Sequence, residues 1–233
     1  MLNGLDLFSG IGGLTLALSP WVRPVAYCEN DRYAQAVLLS RMQSGDLPTA
    51  PIWDDITTLL PSMLPRNGIN IIYGGFPCQP YSTAARGRNK PDSIRQQFER
   101  IINEITPEIV FAENVSLRAM QELQIPDDYS VRILETTAAS VGAPHNRRRY
   151  WLLANSNRKR KSISSVNVKV ESGKTDASSF WQQETELSES LRMANGIPFV
   201  DNRLRCLGNA VVPQQAREAF VRLLKPKEAK GDE

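Results

Sequence analysis

The sequence predicts an α/β fold: a parallel sheet with helices on both faces. Three observations carry this. Short apolar runs of strand length recur along the chain; stretches with helical spacing separate them; and a glycine-rich turn, Ser9-Gly10-Ile11-Gly12-Gly13, follows the first run directly. At 233 residues with 41% apolar content, the chain has the size of one domain, or of one domain with a small insertion, and can bury a full core.

Taken in order, Leu2 to Phe8 reads as a strand opening into the glycine turn, after which an apolar helix begins. Pro24 to Cys28 is a second short strand. Asp31 then suits an N-cap, and Ala34, Val37, Leu38 and Met42 follow at helical spacing. Ile69–Tyr73 reads as a buried parallel strand, followed by a helix over about 94–105 and strands at Ile109–Ala112, about 131–136, and Arg149–Ala154. Between Ser156 and Ser179 the composition changes: seven of 24 residues are serine, six are Lys or Arg, and none is aromatic. That span reads as an exposed, partly flexible insertion. Regular structure is expected again by Leu204, with a last helix over about 213–224 and a solvated tail from Lys225.

Composition excludes several classes. No run of 18 or more apolar residues and no basic-then-apolar leader is present, which predicts a soluble cytoplasmic protein. Cys28, Cys78 and Cys206 are odd in number and far apart, so neither a metal site nor a disulfide framework is expected. The net charge of +3 permits a polyanionic partner without establishing one.

The chemistry concentrates in a few places. A glycine-rich turn between strand and helix brings backbone N–H groups close to a ligand, and Glu29, ending the second strand, is placed to bind a ribose hydroxyl pair. The run Gly74-Gly75-Phe76-Pro77-Cys78-Gln79-Pro80 sets one thiol in a turn at a strand's C-terminal end, where ligands gather in open α/β sheets. Paired glycines there predict a bend and a close backbone approach to ligand, and the prolines stiffen the flanks. Cys28 and Cys206 read as packing residues. Period-2 alternation puts Arg147 and Arg149 on one face of their strand and Arg148 on the other.

With Glu113-Asn114-Val115 added, the chain resembles the C5-cytosine DNA methyltransferase family over most of its length and in the family's motif order. Asp6–Gly13 is similar to the family's S-adenosylmethionine loop, Asp55-Ile56 to its adenine-contacting pair, and Gly74–Ser82 to its nucleophile loop. Glu113–Val115 is similar to its catalytic glutamate motif, Pro144–Arg149 to its Gln-x-Arg-x-Arg motif, and Gly208–Val211 to the late motif closing the cofactor pocket. The resemblance implies a Rossmann-like S-adenosylmethionine-dependent methyltransferase fold with a small recognition insertion. Residues 1–155 and 201–224 would form the catalytic domain, 156–200 a reduced target-recognition region, and 225–233 the tail.

It also implies roles. Cys78 adds to carbon 6 of cytosine, Glu113 binds N3, Arg149 contacts the base at O2, and Arg147 orders the catalytic loop. Phe8 stacks on the adenine, while Gly10, Ile11, Gly12, Glu29, Asn30, Asp55, Ile56, Asn209 and Val211 bind S-adenosylmethionine. The partner is double-stranded DNA. Two departures stand out. His145 replaces the family's glutamine, and the 156–200 region is short for sequence readout in the major groove. The run Arg158-Lys159-Arg160-Lys161 can grip phosphates without reading bases. A short or relaxed target is therefore expected, or help from an accessory protein or oligomer. Two other readings are a related class methylating cytosine in transfer RNA and a non-catalytic DNA-binding or S-adenosylmethionine-sensing regulator; an intact Cys78, Glu113 and arginine pair argue against the second.

Overall fold

The architecture is that of a computed structural model, which describes residues 1–65, 68–77, 91–158 and 200–225. Cys78 and nearly all of the 156–200 region lie outside the described residues. Among the described residues, seven strands form one sheet in the order β3-β2-β1-β4-β5-β7-β6. The strands are β1 (Leu2–Leu7), β2 (Val22–Cys28), β3 (Ile52–Trp53), β4 (Ile71–Gly75), β5 (Ile109–Asn114), β6 (Tyr129–Thr137) and β7 (Arg148–Ser156). The helices are α1 (Gly13–Leu18), α2 (Arg32–Gln43), α3 (Pro91–Ile105), α4 (Leu117–Gln121), α5 (Val200–Asn209) and α6 (Pro213–Leu224).

Alternation along the strands separates two cores. Leu5, Leu7, Ile72, Val110, Ala112, Leu152 and Ala154 face α3 and α4, where Phe98, Ile101 and Ile102 are fully buried at helical spacing. Ile71, Tyr73, Ile109, Phe111, Trp151 and Leu153 face α1 and α6, meeting Ala216, Ala219, Phe220 and Leu223. Aromatic contacts fix this second layer: Phe111 stacks on Trp151 at 5.5 Å and takes the Phe220 edge at 5.1 Å. Asp31 caps α2 as expected, accepting from the Ala34 N–H at 2.9 Å. Among the described residues, no helix is long and apolar enough to cross a membrane.

The parallel sheet needs one correction. β1, β2, β3, β4 and β5 pair in parallel, but β7 runs antiparallel to both β5 and β6. Residues 138–147 join β6 to β7 by a single 3-10 turn and a loop, too short a connection for the crossover that parallel neighbours require. The reversal places the N-terminal end of β7, with Arg148 and Arg149, at the C-terminal end of β5, where Glu113 and Asn114 lie.

Candidate active site

The C-terminal ends of the parallel strands open onto a cavity of about 400 Å³, within the usual range for small-molecule sites. Its floor is the glycine turn after β1. Phe8 holds a left-handed backbone, φ 56°, which a bulky residue adopts only at a cost, and Gly10 follows at φ 54°. This double left-handed step turns the chain so that the Gly10 N–H donates to Glu29 Oε2 at 2.7 Å. The other carboxylate oxygen, Oε1, accepts from the Asp31 N–H at 2.8 Å, which fixes Glu29 at the cavity edge. A Cβ on Gly10 would meet nothing within 4 Å, so this backbone fronts open volume.

Beneath the turn, Asp6 is fully buried. Thr15 donates to its Oδ2 at 2.6 Å, the Thr15 and Tyr73 hydroxyls lie 2.8 Å apart, and Oδ1 has no hydrogen-bond partner among the described residues. Burial pushes the Asp6 carboxyl up to about 8, partly offset by the Thr15 hydroxyl. Asp6 is thus a neutral acid at pH 7, supporting the turn from below.

Glu113 ends β5 beside the cavity and is 8% exposed. Arg149 Nε lies 2.6 Å from its Oε1, with both side chains mostly covered, though the N–H is not aimed along that line. Burial pushes Glu113 up to about 6, against the pull of Arg149 and Arg147, which lowers it. The carboxyl therefore gives up its proton about a unit below neutrality, later than an ordinary glutamate, while a guanidinium stands beside it. Asn114 ties this wall to the segment entering the cysteine turn, since its Nδ2 donates to the Phe76 carbonyl at 2.9 Å.

The paired glycines do something other than bend. Gly74 and Gly75 are the last residues of β4, and neither has positive φ. A Cβ on Gly74 would lie 2.2 Å from the Leu7 carbonyl oxygen, and one on Gly75 would lie 2.8 Å from Glu113 Oε2. They make room, the first for β1 and the second for the Glu113 carboxylate. Gly75 also lines the cavity, so the expected close approach holds while the expected bend does not.

Of the residues the sequence singled out, Phe8, Gly10, Ile11, Glu29, Asn30, Glu113, Arg149, Asn209 and Val211 line the cavity together. Four others are not among the lining residues. Gly12 caps α1 at φ 85°, where a Cβ would strike Leu47 at 2.4 Å. Asp55 is exposed and folds its own turn, its Oδ1 accepting from the Thr57 N–H at 2.8 Å. Ile56 is buried in the core, its carbonyl held by Arg100 at 2.9 Å. Arg147 donates to the Gly208 and Ala210 carbonyls at 2.6 and 2.9 Å. Arg148 leaves on the opposite side to pair with Glu135, as the alternation required.

Sequence reasoning missed Arg205 and Cys206. Both line the cavity from α5, and Arg205 pairs with Asp31 at 2.7 Å. The signal was their helical spacing to Gly208 and Asn209. Cys28 is buried, and its thiol is pushed up to about 12 by burial first and then by nearby carboxylates, which suits packing.

The residues fit S-adenosylmethionine: a carboxylate fixed at the edge for hydroxyls, an aromatic ring and aliphatic side chains for an adenine, and a glycine turn with open backbone. Comparisons with known proteins agree. Residues 2–197 match the sequence model of the C-5 cytosine-specific DNA methylase family. The type II methyltransferase M.CviJI of Paramecium bursaria Chlorella virus IL3A is 29% identical over 94% of this chain and 58% of its own. M.HhaI of Haemophilus parahaemolyticus is 31% identical over 65% of this chain and 48% of its own. The chain spans about half the length of the curated relatives it matches. Among solved structures, a putative DNA modification methyltransferase encoded within an Escherichia coli prophage superposes with TM-score 0.56 at 24% identity, over 70% of this chain and 48% of that one. Spodoptera frugiperda DNMT2, as a mutant, gives 0.53 at 20% identity, over 68% and 51%. At these identities the likeness is one of fold, and that fold is the Rossmann-like methyltransferase fold.

Proposed function

The chain belongs to the C-5 cytosine-specific DNA methylase family, and on that premise we propose that it transfers a methyl group from S-adenosylmethionine to carbon 5 of cytosine in double-stranded DNA. The observation that carries the reading is the buried Glu113 carboxyl, held at about 6 beside Arg149 on the wall of the cavity.

Carbon 5 of cytosine is too weak a nucleophile to be methylated directly. Cys78 follows Gly75, Phe76 and Pro77, of which all three line the cavity, and its thiolate is assigned the attack on carbon 6. As the sulfur–carbon bond forms, the carbon 5–carbon 6 π pair moves onto carbon 5. Glu113 donates its proton to N3, which makes carbon 6 electrophilic and leaves a neutral enamine. A carboxyl at about 6 serves this step, being acidic enough to give the proton and basic enough to keep a protonated fraction near neutral pH. Arg149 stabilises the carboxylate that results and, on the family resemblance, would bind the base O2. S-adenosylmethionine supplies the electrophilic methyl group to carbon 5. A water molecule or hydroxide then takes the proton from carbon 5, that electron pair re-forms the carbon 5–carbon 6 double bond and expels the thiolate, and N3 returns its proton to the Glu113 carboxylate.

The base must leave the duplex to enter such a cavity. We assign the catalytic domain to residues 1–155 and 201–224 and target recognition to 156–200, supplemented by an accessory protein or second copy because that stretch is short. Phe8, Gly10, Ile11, Glu29, Asn30, Asn209 and Val211 would hold the cofactor, with Gly12 shaping the turn. Asp55 and Ile56 are not among the lining residues and are assigned to the adenine on the family resemblance alone.

The test is covalent trapping. A duplex carrying 5-fluorocytosine should form an adduct, stable in a denaturing gel, only with S-adenosylmethionine present, and Cys78→Ser should abolish it. An undiminished adduct in Cys78→Ser, or an adduct on RNA alone, refutes the assignment.

A further inference from the structure

Arg147 is engaged at both ends, and both ends hold the same segment. Its guanidinium donates to the Gly208 and Ala210 carbonyls. Its own carbonyl accepts from the Ala138 N–H at 3.0 Å and from Gln215 Nε2 at 3.0 Å. Gln215 lies in the first turn of α6, a few residues after the carbonyls that the side chain grips. Between these grips sit Ala210 and Val211, cavity-lining residues, with Val211 seated against the glycine turn: a Cβ on Gly13 would lie 3.0 Å from its Cγ2. Two residues beyond Arg147 is Arg149, which holds Glu113.

We infer that Gln215 is a positioning residue whose amide, clasping Arg147 from behind, makes the cofactor wall at 208–211 and the Arg149–Glu113 pair one mechanical unit. The inference deepens the methyl-transfer reading and rests on it for the meaning of the two sites, though not for the clasp.

Gln215 is built for this. It is 0% exposed, and its Nε2 donates to Thr136 Oγ1 as well as to Arg147, both at 3.0 Å. Thr136 in turn accepts from Trp151 Nε1 at 2.7 Å, which roots the network in the strand pair β6 and β7. Gln215 Oε1 is buried with no hydrogen-bond partner among the described residues. A buried amide that leaves its carbonyl oxygen unpaired is poorly suited to filling space, because an apolar side chain of the same volume would avoid that desolvation cost. What the amide provides is direction: two N–H groups tie α6 to Arg147 and to Thr136. Since Gln215 does not line the cavity, any effect it has on a ligand there must pass through Arg147 and the 208–211 wall. Coupling of this kind is reciprocal, so a ligand pressing on the wall should steady Arg147 in return.

The experiment uses the full chain and S-adenosylhomocysteine as probe. Gln215→Met keeps the volume and removes both N–H donors; Arg147→Lys keeps the charge, on a partly exposed side chain, and removes the fork. Titration calorimetry without DNA should show each variant binding S-adenosylhomocysteine at least about fivefold more weakly, the weight of one buried hydrogen bond. Backbone hydrogen exchange supplies a second readout. In wild type the probe should protect the Ala138 N–H, which is bonded to the Arg147 carbonyl outside the cavity, and in Gln215→Met that protection should be lost. In the protein without probe, amides 210–212 of either variant should exchange at least about fivefold faster than wild type. Wild-type affinity and wild-type exchange at 210–212 in both variants overturn the clasp. If instead wild type forms no 5-fluorocytosine adduct while the variants exchange faster, the clasp stands and the cytosine assignment falls.

Discussion

Glu113 stands between two opposed effects, and replacing Arg149 separates them. Burial raises its carboxyl, while Arg149 at 2.6 Å and Arg147 further off lower it, for a net position at about 6. Two unit charges centred about 4 Å apart at an effective dielectric of about 20 attract by about 4 kcal/mol, and a neighbouring guanidinium typically lowers a carboxyl by about 1–3 pH units. In Arg149→Gln that lowering is lost, so Glu113 should rise to between about 7 and about 9, which is about 1.4–4.1 kcal/mol of added preference for the acid. The assay is a carbon-13 titration of the labelled glutamate carboxyls, with Glu113→Gln to assign the signal. Linkage gives an independent check. The folded value lies above the ordinary 4.5, so the stability owed to the protonated form is complete below 4.5 and is lost as pH rises through the folded value. Between pH 6 and 8, wild-type melting should have levelled with respect to this group, while Arg149→Gln should still be losing stability. A midpoint that stays within half a unit of wild type, or moves down, refutes the opposition of burial and charge.

Two further perturbations follow from contacts on either side of that carboxyl. Gly74→Ala drives a Cβ to within 2.2 Å of a main-chain oxygen and should cost about 3 kcal/mol, lowering the melting temperature by about 6–12 °C. Gly75→Ala meets only the end of a side chain, Glu113 Oε2 at 2.8 Å, so the fold should survive while 5-fluorocytosine trapping slows by about a hundredfold through the displaced carboxyl. Equal melting losses in the two variants would remove the distinction. Asp6→Asn tests the neutral acid beneath the glycine turn: with its folded value at about 8, wild type should lose up to about 1.4 kcal/mol per pH unit between the unfolded value near 4 and pH 8, and the variant should lack that slope. Parallel stability curves for the two proteins would place a charged Asp6 in the folded state.

How much of this was legible in the sequence depends on the distance over which each feature is determined. The strands and the Asp31 cap were readable because an apolar run, a turn and a capping oxygen act within a few residues. The direction of β7 was not, because the sequence marks a strand without marking its neighbours. The glycine turn lines the cavity, at the strand end where the sequence expected it, yet the duty of Asp6 beneath it depends on Thr15 and on Tyr73, the latter from another strand. The glycine pair shows the limit most clearly. As local residues Gly74 and Gly75 suggest a hinge, and only the Leu7 carbonyl and the Glu113 carboxylate, one from each neighbouring strand, show that the missing atoms are what matters.

Arg147 and Arg149 carry the same argument into the site. Alternation placed both on one face, but what each does is decided by a partner remote in the chain: Glu113 on β5 for one, the Gly208 and Ala210 carbonyls for the other. Two arginines in one short motif thus serve two different walls of the same cavity, one at the Glu113 carboxyl and one at the 208–211 segment. That division explains why the motif needs two guanidinium forks two residues apart. A lysine at position 147 could not span the Gly208 and Ala210 carbonyls with a rigid planar group, and a lysine at 149 would set a more strongly hydrated point charge against the buried Glu113 carboxyl. The antiparallel turn of β7 makes both possible, since it sets these residues at the strand ends where Glu113 and the glycine turn already meet.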